Sequence, residues 1–320
     1  MKGKVLVTGG AGFIGSAVAK GYLKTGWEVV IVDNLSTGKK ENLPDQAKFY
    51  QIDIRDKKLK DVFKKEKFDL VNHHAAQINV RESVGHPSFD AQVNILGTIN
   101  LLKIGNEFKT RNFIFISSGG AIYGEPAKLP VEENNPKNPL SPYAISKYTA
   151  ERYLFFFHQV YGINYLCLRY GNVYGPGQNA QTEAGVIAIF SHQMLQKKRP
   201  TIYGDGKQLR DYVWVGDVVK ANLLATAKME KLNQNKDNHP DDLAYNIATG
   251  RGVSVNTVYN TLASLTKFDH PPLYASAIKG EIRKIYLKID RAKSELRWIP
   301  QTTLSEGMKK TVEYLKSTSL

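Results

Sequence analysis

A short apolar run followed at once by a glycine cluster governs what this chain can become. Lys4–Thr8 reads as a β-strand, and Gly9-Gly10-Ala11-Gly12-Phe13-Ile14-Gly15 follows without a break. Gly10, Gly12 and Gly15 satisfy G-x-G-x-x-G, while Gly9, Gly12 and Gly15 give G-x-x-G-x-x-G. The missing side chains allow a tight turn, close approach of a pyrophosphate, and close packing of the next helix on the strand. The helix then meets the diphosphate with its amide groups and positive dipole end. The carboxylate expected of such a fold is present. Asp33 ends the second expected strand, 18 positions beyond Gly15. It can accept hydrogen bonds from ribose hydroxyls and would repel a 2′-phosphate, which favours NAD over NADP.

The rest of the first half repeats this alternation. Trp27–Val32, Lys48–Ile52, Asp69–His73, Asn112–Ser117 and Asn164–Arg169 read as strands. Amphipathic stretches lie between them, from Phe13 to about Thr25, over Val93–Phe108 and over Tyr143–Tyr161. Such alternation builds an α/β fold with a Rossmann-type, doubly wound parallel sheet. After Asn172 turn-rich segments appear, such as Tyr174-Gly-Pro-Gly-Gln178 and Tyr203-Gly-Asp-Gly-Lys207. The expected division is a nucleotide-binding domain over residues 1–171, to which some later segments return, and a smaller α/β substrate lobe over 172–320. Lys228–Asp242 is polar and charged and reads as an exposed loop.

Composition narrows the function classes. The chain has 320 residues, 42% of them hydrophobic, enough for a large core or two packed lobes. No apolar run reaches the length of a membrane span, and Met1-Lys2-Gly3-Lys4 leads into the first strand with no leader-like apolar region. Cys167 is the only cysteine, so no internal disulfide can form, and a cytoplasmic setting is expected. The net charge of +14 raises nucleic-acid binding as a class. The lysines are scattered in small clusters such as Lys57-Lys58 and Lys197-Lys198-Arg199, which instead suggests a solvated surface. No nucleic-acid or membrane partner is expected. His73 and His74 alternate across a strand, so they do not make a shared metal site.

Tyr143-Ala-Ile-Ser-Lys147 supplies the chemistry. The spacing puts phenol and ammonium on one helix face. The ammonium is expected to lower the tyrosine's pKa from its usual value of about 10, making the phenol a general base for a hydroxyl.

With these motifs in place the chain resembles the extended short-chain dehydrogenase/reductases, and within them the UDP-glucose 4-epimerases. The resemblance covers almost the whole chain. It rests on the glycine loop, Asp33-Asn-Leu-Ser-Thr-Gly38, Asp53-Ile54, His74-Ala-Ala-Gln77, Val80-Arg-Glu-Ser83, Asn94-Ile-Leu-Gly-Thr98 and Ser117-Ser118 followed by Tyr123-Gly124. It continues through Tyr143-x-x-x-Lys147, Arg169-Tyr-Gly-Asn172, Arg210-Asp-Tyr212 with Asp217, and Ala292 to Leu296-x-Trp298. It implies that Gly9, Gly12, Phe13, Ile14, Gly15 and Asn34 line the pyrophosphate and ribose of NAD, with Asp53 and Ile54 flanking the adenine. Ala75, Ala76 and Gln77 would bracket the nicotinamide ribose, which Tyr143 and Lys147 also contact. Asn94, Ser117 and Tyr170 would complete the cofactor's surroundings. Asn172 and Arg210 would hold the substrate diphosphate and Tyr203 the uracil. The apolar run Tyr153-Leu-Phe-Phe-Phe157 reads either as core or as pairing with the Val93–Phe108 helix in a dimer seam, and the resemblance, which implies a homodimer packed through helices, favours the seam.

Two departures stand out. The family's serine or threonine four residues before Tyr123 is Gly119 here, so Ser118, or a water in the space left by Gly119, is expected to take over. The family's phosphate arginine is Ile278, for which Lys279 is the expected substitute. The leading activity is reversible 4-epimerisation of a UDP-hexose, UDP-galactose or UDP-glucose, with or without a 2-N-acetyl group. The family's pocket-gating position is Ile285, of intermediate size. A nucleotide-sugar 4,6-dehydratase would carry an acidic pair where Gly120 and Ala121 stand. A non-catalytic NAD-binding regulatory protein is the third reading, against which the chain keeps both Tyr143 and Lys147.

Overall fold

The computed structural model describes residues 2–179, 185–234, 239–278 and 281–318. Strands β1 (Lys4–Thr8), β2 (Glu28–Asp33), β3 (Lys48–Gln51), β4 (Leu70–His73), β5 (Asn112–Ser118) and β6 (Asn164–Tyr170) pair with the strand Ala244–Ile247 in one sheet. Its order is Ala244–Ile247, β6, β5, β4, β1, β2, β3, and every pairing is parallel. Val5, Leu6 and Val7 are all fully buried, because helices cover both sheet faces. The winding direction reverses between β1 and β4. Ligands of such sheets bind beyond the strands' carboxyl ends at that reversal.

The first helix, Phe13–Lys24, packs against the helix Val215–Asn233 through Gly21, where a Cβ would lie 2.5 Å from Val219 Cγ1. Tyr22 reaches across to Thr226 with a 2.6 Å hydrogen bond. The helix Pro142–Tyr161 starts at Ser141, whose hydroxyl accepts the Ala144 amide at 3.2 Å, and it has Pro142 in its first turn. It stops at Gly162, which takes the left-handed φ of +66° that terminates helices.

Two stretches differ from the sequence reading. The helix expected from Val93 opens as a π-helical turn over Gln92–Leu96 and becomes α-helical over Gly97–Glu107. Lys228–Asn233, read as exposed loop, is the end of the helix Val215–Asn233. Met229 and Asn233 lie on its buried face, and Asn233 Oδ1 accepts the Tyr165 amide at 3.1 Å. Asp241, in the same stretch, is buried too.

The second half also builds its own core. Helices Val186–Leu195, Val255–Thr266 and Leu304–Thr318 enclose Tyr174, Phe190, Met194, Tyr212, Leu262 and Met308. The short parallel pair Asn172–Tyr174 with Tyr212–Trp214 joins this core to the end of β6. No helix among the described residues is long and apolar enough to cross a membrane.

Candidate active site

The carboxyl ends of β1, β2, β4, β5 and β6 open into a cleft of about 330 Å³. At its nucleotide end the glycines are required by close contact. Gly9 has φ +69°, and a Cβ on it would sit 2.5 Å from the Ala75 amide nitrogen. A Cβ on Gly15 would sit 2.2 Å from Gly9 O, so only glycine lets helix and turn approach. Gly12 caps the helix with no side-chain hydrogen bond, and Gly12, Phe13 and Ile14 line the cleft. Gly10 instead faces the Ile31 side chain beneath the turn.

Asp33 lies in the cleft wall. Its Oδ2 accepts the Ala11 amide at 3.0 Å and its Oδ1 the Leu35 amide at 2.8 Å. Burial raises its pKa and the two amides oppose that rise. Each carboxylate oxygen keeps a further lone pair for a ligand hydroxyl. Asn34 donates to Asp53 at 2.8 Å. The Arg55 guanidinium holds Asp53 well below the usual carboxylate range. Asp53 and Ile54 line the cleft beside Asn34.

At the opposite end stand Ser117, Ser118, Tyr143, Lys147, Tyr170 and Asn172, with Ala75 and Ala76 between the two ends. The Ser118 hydroxyl shares the cleft wall with the Tyr143 phenol and favours its ionised form. Ser117 Oγ is buried with no hydrogen-bond partner among the described residues, a polar atom in the cleft wall. Lys147 Nζ donates to Ile116 O at 3.0 Å and lies 5.0 Å from the Phe115 ring centroid.

The electrostatics here correct the sequence reading. Burial pushes Tyr143 up to about 12, with Ser118 opposing and Asp90 adding to the rise. Burial pushes Lys147 down to about 8, against the carboxylates of Asp90 and Glu151. Desolvation therefore sets the Tyr143 pKa, and Lys147 is not among the groups that shift it. Spacing in a sequence carries no information on depth below the surface.

Gly119 leaves no room for a water. A Cβ there would lie 2.4 Å from Leu287 Cδ1 and 3.1 Å from Arg169 O, so the Leu287 side chain fills the slot. Below it Arg169, fully buried, donates to Glu151 Oε2 at 2.6 Å, to Asp241 Oδ1 at 2.5 Å and to the Tyr123 hydroxyl at 3.0 Å. This clamp joins β6 to the Tyr143 helix one turn beyond Lys147. Tyr170, next to Arg169, is held through its hydroxyl by Asn222 Nδ2 at 2.6 Å.

Several expected residues do not face this cleft. Gln77 and Asn94 stand behind its wall, where the Gln77 amide donates to Asn94 Oδ1 at 3.0 Å. Arg210 pairs with Glu281 at 3.0 Å, and Tyr203 is 42% exposed with the Arg81 guanidinium 5.5 Å from its ring centroid. Asp211 and Asp217, from the same sequence motif as Arg210, accept backbone amides, those of Gly250 and Gln301 at 3.0 Å each. Lys279 lies outside the described residues. His73 is tied to Thr8 at 2.7 Å and Thr98 at 3.1 Å, while His74 lines the cleft. The described residues hold no cluster of three or more His, Cys, Asp or Glu side chains able to bind a metal.

Residues 5–248 match the NAD dependent epimerase/dehydratase family. The chain belongs to this family. Among structures of epimerase/dehydratase proteins it is similar to a UDP-glucose 4-epimerase with UDP-glucose from the hyperthermophilic eubacterium Thermotoga maritima, at 45% identity and TM-score 0.93, covering 99% of this chain and 100% of that one. It is also similar to the Thermus thermophilus UDP-glucose 4-epimerase in complex with NAD, at 38% identity and TM-score 0.89, covering 98% and 99%. The UDP-glucose 4-epimerase of Mycolicibacterium smegmatis is 37% identical over 99% of both chains. The cleft suits the cofactor in the family's name. Its glycine cradle excludes side chains where a diphosphate must approach, and Asp33 and Ser117 present unused hydrogen-bonding capacity.

Proposed function

We propose that this protein is a reversible NAD-dependent 4-epimerase of a UDP-hexose, interconverting UDP-galactose and UDP-glucose through a 4-keto intermediate. The observation that carries the reading is the juxtaposition of Ser118, Tyr143 and Lys147 in the wall of one cleft with Asp33. Full-length kinship to UDP-glucose 4-epimerases supports it.

In this reading Asp33 holds the ribose hydroxyls, Asn34, Asp53 and Ile54 border the adenine, and the Gly9–Gly15 turn holds the diphosphate. Ala75, Ala76, Ser117 and Tyr170 enclose the nicotinamide side, supported from behind by Gln77 and Asn94. When bound, the cofactor supplies reversible hydride transfer to and from sugar C4 and a positive charge beside Tyr143. Tyr143 must first give its own proton to solvent, a loss the positive charge of the bound cofactor would favour; as phenolate it takes the 4-hydroxyl proton and returns it after the ketose has presented its other face. Ser118 donates to the same oxygen and steadies its charge. Lys147 keeps an ammonium beneath the ribose. Asn172 and Arg210 hold the substrate diphosphate while the sugar turns, and Tyr203 receives the uracil. Arg210 must leave Glu281 to do so.

The dehydratase reading lacks its acid and base, since Gly120 and Ala121 carry no proton-transfer group. Ile285 is buried with Ile122, Tyr123 and Leu287 rather than in the cleft wall, so it does not decide between a 2-hydroxyl and a 2-N-acetyl sugar. A homodimer through the Tyr143 helix fits the exposure of Ile145, Tyr153, Phe156 and Val160 along one of its faces.

Product analysis with a panel of UDP-sugars, on protein as purified and with added NAD, tests the activity. Tyr143→Phe should cut kcat at least about 100-fold while leaving NAD bound. Full turnover in that variant would refute the assignment.

A further inference from the structure

Behind the reacting end of the cleft lies a carboxylate that the proposed chemistry does not use. Asp90 is 0% exposed, on the short helix Pro87–Ala91. Its Oδ1 accepts Gln77 Nε2 and Asn94 Nδ2, both at 3.0 Å, and its Oδ2 is buried with no hydrogen-bond partner among the described residues. An ionised carboxylate kept this deep requires a compensating charge nearby.

Three elements converge on it. Gln77 belongs to the loop after β4 that carries Ala75 and Ala76 along the cleft. Asn94 projects from the π-helical turn Gln92–Leu96, a distortion that often marks functional positions, and brackets the Gln77 backbone by accepting its amide and donating to its carbonyl at 2.9 Å. The third is the Tyr143 helix, which packs against both the Pro87–Ala91 helix and the π-helical turn and carries Ser146 and Lys147. Burial raises the pKa of Asp90, against the pull of the Ser146 hydroxyl, the Lys147 ammonium and the two amides.

We propose that Asp90 is a positioning residue for the reaction: it fixes the Ala75–Ala76 wall through Gln77 and Asn94, and it is the counter-charge that keeps Lys147 an ammonium. The other titratable groups around Lys147 are Tyr143 and Glu151, one turn to either side on its own helix, His73 at the end of β4 and His74 just beyond it. Burial holds both histidines neutral, and the Glu151 charge is taken up by Arg169. Among the described residues Asp90 makes no ion pair with another cation, and its charge acts on Lys147.

The inference rests on the Tyr143/Lys147 assignment, and the test separates the two. Asp90→Asn keeps an oxygen for both amides and removes only the charge. Lysine 13Cε NMR reads Lys147 directly, its resonance assigned by its loss in Lys147→Met. The titration midpoint near 8 should fall by about one unit or more in Asp90→Asn, since an opposite charge at short range is worth about 1–3 units. The alkaline limb of the kcat–pH profile should move to lower pH by the same amount, and the melting temperature should hold within a few degrees. An unmoved midpoint and unmoved limb overturn the proposal, whatever happens to the melting temperature. If the midpoint moves while Tyr143→Phe and Asp90→Asn both turn over normally, the counter-charge stands and the catalytic assignment falls. Asp90→Glu, which keeps the charge, should retain the Lys147 midpoint.

Discussion

Leu287 occupies the place where Gly119 has no side chain, its Cδ1 only 2.4 Å from an ideal Cβ position. The two residues form one packing unit, joined by the backbone of Arg169 at 3.1 Å from the same point. Restoring the family's hydroxyl by Gly119→Ser should therefore overpack the site and destabilise the fold by about 1–3 kcal/mol. The double variant Gly119→Ser/Leu287→Ala should recover part of that loss. Urea unfolding of the four proteins in this cycle measures the coupling, and strict additivity would refute it.

With the slot filled by Leu287, Ser118 is the hydroxyl on Tyr143. Its hydroxyl opposes the rise of the Tyr143 pKa, so Ser118→Ala should move the phenol still higher. We expect kcat to drop about 10- to 100-fold at neutral pH with little change in NAD affinity. Steady-state kinetics together with an NAD titration check this. An unchanged kcat would mean that Ser118 plays no part in proton transfer.

Arg169 neutralises Glu151 and Asp241 where neither can reach water. Arg169→Met should strand Glu151, leave Asp241 with Lys137 as its cation, and cost about 3–5 kcal/mol. Acid should partly relieve that loss, because protonation removes the stranded charge. Chemical unfolding of variant and parent at neutral and mildly acid pH shows whether the gap narrows.

Glu66 gives a stability signal independent of the cleft. Its carboxylate takes Lys4 at 3.2 Å, Tyr50 at 2.6 Å and also Lys48. Burial disfavours its charge, but these partners win and bring its pKa down from 4.5 to about 2. Between those values the unfolded chain binds the proton and the folded one does not. The Glu66 contribution is thus complete above pH 4.5 and fades as pH falls toward 2. Glu66→Gln should be less stable than the parent at pH 7 by about 1–3 kcal/mol, and the difference should shrink through that acid window. Parallel denaturation curves at stepped pH test it.

The sequence patterns reach some of these residues and miss others for identifiable reasons. Val5–Val7 and Val29–Val32 are unbroken apolar runs because helices cover both faces of their strands, and such runs are legible one by one. Asp33 and Tyr143/Lys147 are local spacings and are equally legible. Met229 and Asn233 are obscured because lysines and glutamate crowd the outer face of the same helix. Asp90 sits in Pro87-Ser-Phe-Asp-Ala91, which reads as an ordinary surface turn. Its burial arises only when Gln77, Asn94 and Lys147 close around it from separate elements. The Gly119–Leu287 pairing is a long-range contact with no periodicity to announce it. The Tyr143 pKa moves against expectation because desolvation is a property of depth.

The placement of Ala244–Ile247 beside β6 bears on how the protein comes into being. A nascent chain that has emerged only through Asn172 already holds its glycine turn, Tyr143 and Lys147. It still lacks the strand that covers β6, Asp241 for Arg169, and Leu287 for the gap at Gly119. At ribosomal speeds of about 5–20 residues per second, the remaining segments take several seconds or more to arrive. Through that interval β6 is an open sheet edge able to pair with a neighbouring nascent chain. Biogenesis of a working cleft is therefore a late event in translation, and conditions that slow elongation past Asn172 should favour aggregation over activity.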